Sequence, residues 1–317
     1  MASQSEPITS YDVPNYAGEL FYIGQTYGKA PLLSRKGLTT GYKTATGTTF
    51  PMANYITGDA AAQDGQTEDA SIAAMTNTSY TATQQTQYMQ IFRKTYVVSY
   101  AAMAMSGQIS GAAIVKGPQA VVNSMPVQRL AHMKQFMADF EYSALRGSGQ
   151  AWTNAATAGK MSGLVTAVEG GSETAASGAA LSKTLIETEI ARMATAGAEF
   201  GMMAIAGNAY QIQQLNNLYG NAIQSTTRGG FNINVLTLPV AGDCEVIYDP
   251  VLATDDLVFV DLNHFDPVFG LVPGKPPVFT EPLAQLGAGV YEQLFALGSI
   301  DWGDEVFHGM VSGLATS

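Results

Sequence analysis

Three histidines and one cysteine are the residues of this 317-residue chain best suited to chemistry. His264 lies in the string Asp261-Leu262-Asn263-His264-Phe265-Asp266. On a strand Asp261 and Asp266 point to opposite faces, because side chains alternate with period two. A metal site there needs a turn and a further ligand. His308 follows Asp301, Asp304 and Glu305 in a turn-rich stretch, and His132 has its nearest acid, Asp139, two helical turns away. Solvated or packed histidines are the reading these surroundings favour. The adjacent acids Asp255 and Asp256 read as a solvated hairpin turn. Cys244 has no cysteine partner for a disulfide, a metal or a redox pair. Neither a phosphate-binding G-x-x-x-x-G-K-[ST] loop nor a G-x-S-x-G nucleophile elbow occurs. Gly147-Ser148-Gly149 does not continue to the third glycine of a dinucleotide fingerprint. No nucleophile, base and oxyanion donors converge in one motif. The expectation is therefore no catalytic, cofactor-binding or metal site. A hydrolase with dispersed residues, using His264 or His308, stays open.

The composition narrows the classes further. Charged residues make up 13% of the chain, apolar ones 46%, and the net charge is −11 with a pI near 4.6. Whole-chain disorder needs more charge and fewer apolar residues, and a basic nucleic-acid binder does not have this pI. A membrane span needs about 18 consecutive apolar residues. The best stretch, residues 96–116, is interrupted by Ser99, Ser106, Gln108 and Ser110. The first residues carry neither the basic nor the apolar region of a secretory leader. Forty-one charges on a monomer of this mass amount to about one per 300 Å², roughly half the usual density. Weakly charged surface of this kind is ordinarily covered by another subunit; a Ser/Thr/Asn/Gln-rich monomer surface is the alternative. The charge is also uneven, +2 over residues 1–160 and −13 over 161–317. The runs Ala70–Phe92 and Phe200–Thr227 carry none. The two halves are either complementary surfaces of adjacent copies or differently solvated faces of one.

These residues must be positioned by elements, and the elements are partly legible. Residues 1–33 are polar and turn-rich, with no lasting period, and read as an extended arm. Residues 40–95 are rich in Thr, Gln, Ala and Gly, with turn signals at Gly58-Asp59 and Asp64-Gly65. They read as a projecting hairpin or loop, β-prone over Asn77–Tyr88. Gln90 to Tyr100 is β-branched and aromatic, a strand returning the projection to the body. Pro126 to Leu145 is the clearest helix, with Leu130, Met133, Met137, Phe140 and Ala144 at alternating spacings of three and four. Ser124 is its candidate cap and Gly147 its stop. It fits a strut or an ordinary core helix equally. Small residues over 147–180 mark a boundary. Thr184 and Glu187 have capping-box spacing for a helix ending before Gly197, and a second helix spans 209–219. Strands follow at 233–238, 244–248 and 257–262. Residues 290–313 alternate loosely and read as strands with turns at Gly298 and Gly303-Asp304.

This order of parts resembles the major capsid proteins of tailed bacteriophages, the Hong Kong 97 fold. The strings that carry the resemblance are Gln90-Ile91-Phe92 through Val97-Val98-Ser99, then Gly107, the long helix, and Asp139-Phe140-Glu141-Tyr142-Ser143-Ala144-Leu145-Arg146-Gly147. Glu281-Pro282-Leu283-Ala284 with Gly287 resembles the approach to the final strands, whereas Asp301-Trp302-Gly303-Asp304 departs from the expected pattern.

The resemblance implies an α+β Hong Kong 97-like capsid fold. Its parts would be an N-terminal arm (1–33), an extended β-hairpin loop (34–95) and a peripheral domain (96–179) with a spine helix at 126–146. An axial domain (180–262) and a return to peripheral strands (263–317) would complete it. It implies a protein of the virion capsid, assembled in the host cytoplasm into an icosahedral shell around double-stranded DNA, with no enzyme activity and no cofactor. The implied partners are other copies in hexamers and pentamers, packaged DNA by non-specific contact, and scaffolding, portal or decoration proteins, with no membrane. No scaffolding extension is recognisable ahead of the arm, so internal scaffolding would come from a separate protein. Arg93, Lys94, Arg129, Lys134, Asp139 and Glu141 are the candidate inter-subunit or spine positions. A tail-tube or decoration subunit is the alternative, and the helix at 126–146 with the two later helices, one following Thr184 and one near 209–219, argues against its mostly β architecture.

Overall fold

The longest apolar periodicity forms the longest helix. In the computed structural model, which describes residues 15–52, 67–72, 84–103, 125–220, 223–228 and 231–316, a 22-residue helix spans Met125–Arg146. Before it come α1 (Ala17–Thr26), α2 (Pro31–Thr40), β1 (Lys43–Ala45), β2 (Thr49–Pro51), α3 (Glu68–Ile72), β3 (Thr86–Tyr88) and β4 (Gln90–Ser99), which makes the long helix α4. After it come β5 (Ser148–Gln150), β6 (Lys160–Ser162), α5 (Leu164–Val168), β7 (Glu173–Ala175), α6 (Lys183–Ala196), β8 (Met203–Gly207), α7 (Ala209–Tyr219) and β9 (Ile223–Arg228). The chain continues through β10 (Phe231–Leu238), β11 (Gly242–Tyr248), β12 (Leu257–Asp261), β13 (Asp266–Gly270), β14 (Val278–Pro282), β15 (Gly289–Asp301) and β16 (Gly309–Ser312).

Two sheets organise the body. In the first, β15 is the long central strand. Along one edge it pairs with β4, and along the other with β14 and then β13, all antiparallel; β1 adds to β13 in parallel. The second sheet has the order β7-β16-β12-β8-β11-β10-β9. Its central strands β8 and β12 are buried at every residue, as expected of strands covered on both faces. Their alternate residues enter different cores. Ala204, Ala206, Val258 and Val260 face the core built around α1, α2 and α4. Met203, Ile205, Leu257 and Phe259 face the core with Ile186, Ile190 and Met193 of α6 and Leu215 of α7. The sheet is thus a wall between two cores, and the long helix shares its core with one face of that wall.

Helix α4 buries Met133, Phe136, Met137, Phe140, Ala144 and Leu145 on one stripe. Phe92 of β4 packs between Phe136 and Phe140, with ring centroids 5.5 and 5.1 Å away. Each fully buried side chain of this kind contributes about 1.5–3 kcal/mol. The long helix is thus a core helix.

Several expectations are corrected here. Residues 17–26 and 31–33 are helical rather than extended: α1 and α2 pack on each other and α1 on α4. The boundary placed between residues 33 and 34 falls inside α2. The cap of α6 is Ser182, whose side chain accepts the Leu185 amide, not Thr184 with Glu187. The helix does stop at Gly197, which takes the left-handed conformation at φ 99°. Gly298 lies within β15, not in a turn. Strands β7 and β16 join the second sheet, although their positions lie outside 180–262. Ser124, Gly107, and the turn signals at Gly58-Asp59 and Asp64-Gly65 lie outside the described residues.

Candidate functional site

Five of the six candidate positions are bonded within their own chain. Lys94 of β4 forms an ion pair with Asp139 of α4. Arg129 donates to Glu292 of β15 at 2.7 Å and to the Tyr96 hydroxyl at 3.4 Å. Burial pushes the Tyr96 phenol up, and the neighbouring Glu292 adds to the shift. The Lys134 ammonium sits 3.4 Å from the centroid of the Tyr27 ring, a cation–π contact. Glu141 is fully buried, and its carboxyl accepts the Leu32 and Leu33 amides at 2.9 and 3.2 Å. Those amides open α2, so Glu141 of α4 caps a helix more than a hundred residues earlier. Arg93 is exposed on β4 opposite Phe295 and makes no ion pair among the described residues.

Sequence reasoning missed the polar groups that join the elements. Arg35 of α2 makes a bidentate pair with Glu245 of β11, at 2.8 and 3.0 Å, with both side chains buried. Lys36 and Lys43 both bond Asp266, and Lys43 also bonds Asp301 at 2.7 Å. Burial lowers the Lys43 ammonium pKa, but the two carboxylates outweigh that and raise it. Glu189 of α6 bonds Arg192, Thr174 and the Met310 amide, tying its helix to β7 and β16. Breaking the Arg35–Glu245 pair, buried on both sides, costs about 3–5 kcal/mol, because one charge is left uncompensated.

Gln87 holds the ladder of β2 and β3 to the body. The ladder is short and antiparallel. Gln87 is fully buried, and its Nε2 donates to the carbonyls of Ser162 and Ile300. Its Oε1 accepts the amides of Tyr88 and Ser162. Trp152 donates to the Met89 carbonyl at 2.6 Å, and Ser299 to the Tyr88 carbonyl at 2.8 Å. One glutamine in a run of Thr and Gln leaves no signal by which sequence alone could single it out.

The residues suited to chemistry are held in structural roles. His132 stacks on Tyr96 with centroids 5.0 Å apart, and burial together with Lys94 lowers its pKa. His264 stacks on Phe307 at 3.9 Å. Asp261 turns away from it and accepts the amides of Gly201, Met202 and Asn263. His308 is not solvated, as expected, but fully buried; burial lowers its pKa to about 4. Its Nε2 donates to the Trp302 carbonyl at 2.7 Å, and its Nδ1 accepts the Asp261 amide at 3.3 Å. Asp256 is likewise not a solvated turn residue: it receives a hydrogen bond from Arg146 at 3.2 Å, and burial raises its pKa. Burial pushes the Cys244 thiol up to about 12, away from nucleophilic character. Among the described residues no three His, Cys, Asp or Glu side chains could hold a metal ion, and no helix is long and apolar enough to cross a membrane.

This architecture is shared with solved shells. A chain of the cyanophage A-1(L) capsid superposes with a TM-score of 0.63 at 11% identity, over 90% of this chain and 93% of that one. A chain of the holo-SrpI encapsulin complex of Synechococcus elongatus gives 0.54 at 8% identity, over 90% and 89%. A chain of the satellite phage P4 procapsid with its size-determination protein gives 0.53 at 9% identity, over 99% and 95%. At these identities the likeness shows the fold, which is the Hong Kong 97-like α+β capsid fold. No curated protein matches the sequence. The profile of the SU10 major capsid protein family matches residues 3–315. With nearly its whole length inside that match, the chain belongs to the SU10 major capsid protein family and is a shell-forming subunit of a virion capsid.

Proposed function

We propose that copies of this chain close into an icosahedral shell of hexamers and pentamers around the double-stranded DNA of a tailed phage, assembled in the host cytoplasm. The role is structural rather than enzymatic. DNA is met by non-specific contact, and scaffolding, portal or decoration proteins are the further partners. In this reading the second sheet with α6 and α7 is the axial domain, and it includes β7 and β16. The first sheet with α4 is the peripheral domain. The arm is confined to the residues ahead of α1. The extended loop issues from the β2–β3 ladder and overlaps an adjacent subunit. Arg93 is the position of the six best placed for a contact between subunits. The −13 half of one copy meets the less acidic half of the next, a heterologous contact of the kind that closes rings.

One observation carries the reading. The β2–β3 ladder is pinned to the body by Gln87, while the sequence beyond it includes the uncharged run Ala70–Phe92. A body this firmly attached to a loop this poor in apolar anchors is suited to laying that loop on a neighbour. Replacing residues 54–83 by a short turn tests it. Circular dichroism is expected to keep the helix and strand content while particles no longer form. Closed particles of the wild-type diameter from the shortened chain would contradict the loop's role.

A further inference from the structure

Two carboxyl groups meet where α2, α4 and the end of β11 converge. Glu141 and Asp249 both have no exposed surface, and their carboxyl groups lie close enough to share a hydrogen bond. The amide donors around them are already assigned, and the Nε of Arg146 is buried without a partner among the described residues. Glu141 Oε1 accepts the Leu32 amide and Oε2 the Leu33 amide. Asp249 Oδ1 accepts the Val251 amide at 2.8 Å. Asp249 Oδ2 is buried and finds no donor. Arg146 of α4 faces Asp249 but gives its guanidinium hydrogen bond to Asp256. Asp255, Glu169 and Glu173 bear on that Asp256 rather than on the pair. From α2, the cations Arg35 and Lys36 are held by Glu245 of β11 and Asp266 of β13.

Two buried anions in contact repel strongly, and like-charge contact keeps one of them protonated. We propose that Glu141 and Asp249 share a single proton, carried on Asp249 Oδ2 and donated to Glu141, and that this proton latches α2 and α4 to the second sheet. With it, the unsatisfied Oδ2 becomes a donor, and Glu141 stays an anion facing the α2 amides. Burial raises both carboxyl pKa values, and the raised value belongs to the pair; the two α2 amides on Glu141 and the donorless Oδ2 of Asp249 place the shared proton on Asp249. The sign follows. The unfolded acids ionise at their ordinary values, whereas the folded pair keeps its proton. Stability from the latch is fully present below the unfolded carboxylate values and is lost as pH rises through the folded pair's upper value.

The test is the unfolding equilibrium of the full chain in urea between about pH 7 and pH 8.5. That window lies above the ordinary histidine range and below the ordinary tyrosine value; Cys244, whose unfolded thiol begins to ionise near the upper end, contributes equally to the wild type and the variant. The wild type is expected to lose roughly tenfold in its folding constant per pH unit, the slope of one proton. Asp249→Asn supplies a permanent donor to Glu141 and is expected to remove that slope. Parallel profiles for the two proteins would overturn the proposal. If the variant does not fold, the wild type decides alone. Infrared difference spectra between about pH 6 and pH 9 should show loss of a protonated-carboxyl stretch, and absence of that band at the lower pH overturns the proposal.

Discussion

His308 has both ring nitrogens occupied by backbone and no contact with solvent. The partners fix the neutral tautomer with the proton on Nε2. A second proton would go to Nδ1, which already accepts the Asp261 amide. The folded ring is therefore protonated only near pH 4, against 6.5 for a free histidine. Between those values the unfolded chain binds more protons, so stability rises with pH across the window and is fully present above it. The full span is on the order of 3 kcal/mol. The buried acids act in the opposite direction over part of this range, so the difference between two proteins is the readable quantity. His308→Gln is expected to lack the loss that the wild type shows on acidification, as measured by urea unfolding at stepped pH. Equal pH profiles would show that the ring does not resist its proton. In the sequence, His308 is one polar residue after three acids. Nothing in the spacing reveals that Trp302 and Asp261 supply its partners. The same holds for the candidate site. Lys94, Arg129 and Lys134 are legible as cations near a helix, but their partners Asp139, Glu292 and Tyr27 are set by the fold.

Elements were legible where packing follows periodicity. Helices α4 and α7, and strands β4 and β12, repeat their apolar residues at the expected spacing. Helices α1 and α2 were not, because their glycines read as turn signals. Gly37 lies against the Phe21 ring, where a Cβ would strike ring carbons. Gly298 in β15 similarly lies beneath Phe92 and Phe140, and a Cβ there would come within 3.3 Å of both rings. A glycine that lets two elements approach looks, in sequence, like one that lets the chain turn. The loop base shows the same limit from the polar side. Gln87→Met keeps roughly the same volume but orphans the Tyr88 and Ser162 amides and one link to Ile300. Each orphaned buried group costs about 1–3 kcal/mol. The variant is expected to melt several degrees lower, with faster amide exchange at Tyr88 and Met89. Unchanged exchange there would show that the ladder does not depend on Gln87.

At the scale of the whole molecule, two cores share one seven-stranded wall, and α2 and α4 join that wall to the first sheet. The buried pairs Arg35–Glu245 and Glu141–Asp249 both cross from α2 or α4 to this wall. The described body is therefore one unit. The long helix and the mixed α+β order that follows it were legible because each part has its own pattern. The assignment of β7 and β16 to the second sheet was not, since short strands pair across long sequence separations that no local pattern encodes. Electron microscopy of the purified full-length chain under assembly conditions tests the shell-forming role most directly. Closed particles of uniform diameter are the expected result, and a monodisperse monomer under every assembly condition would contradict it.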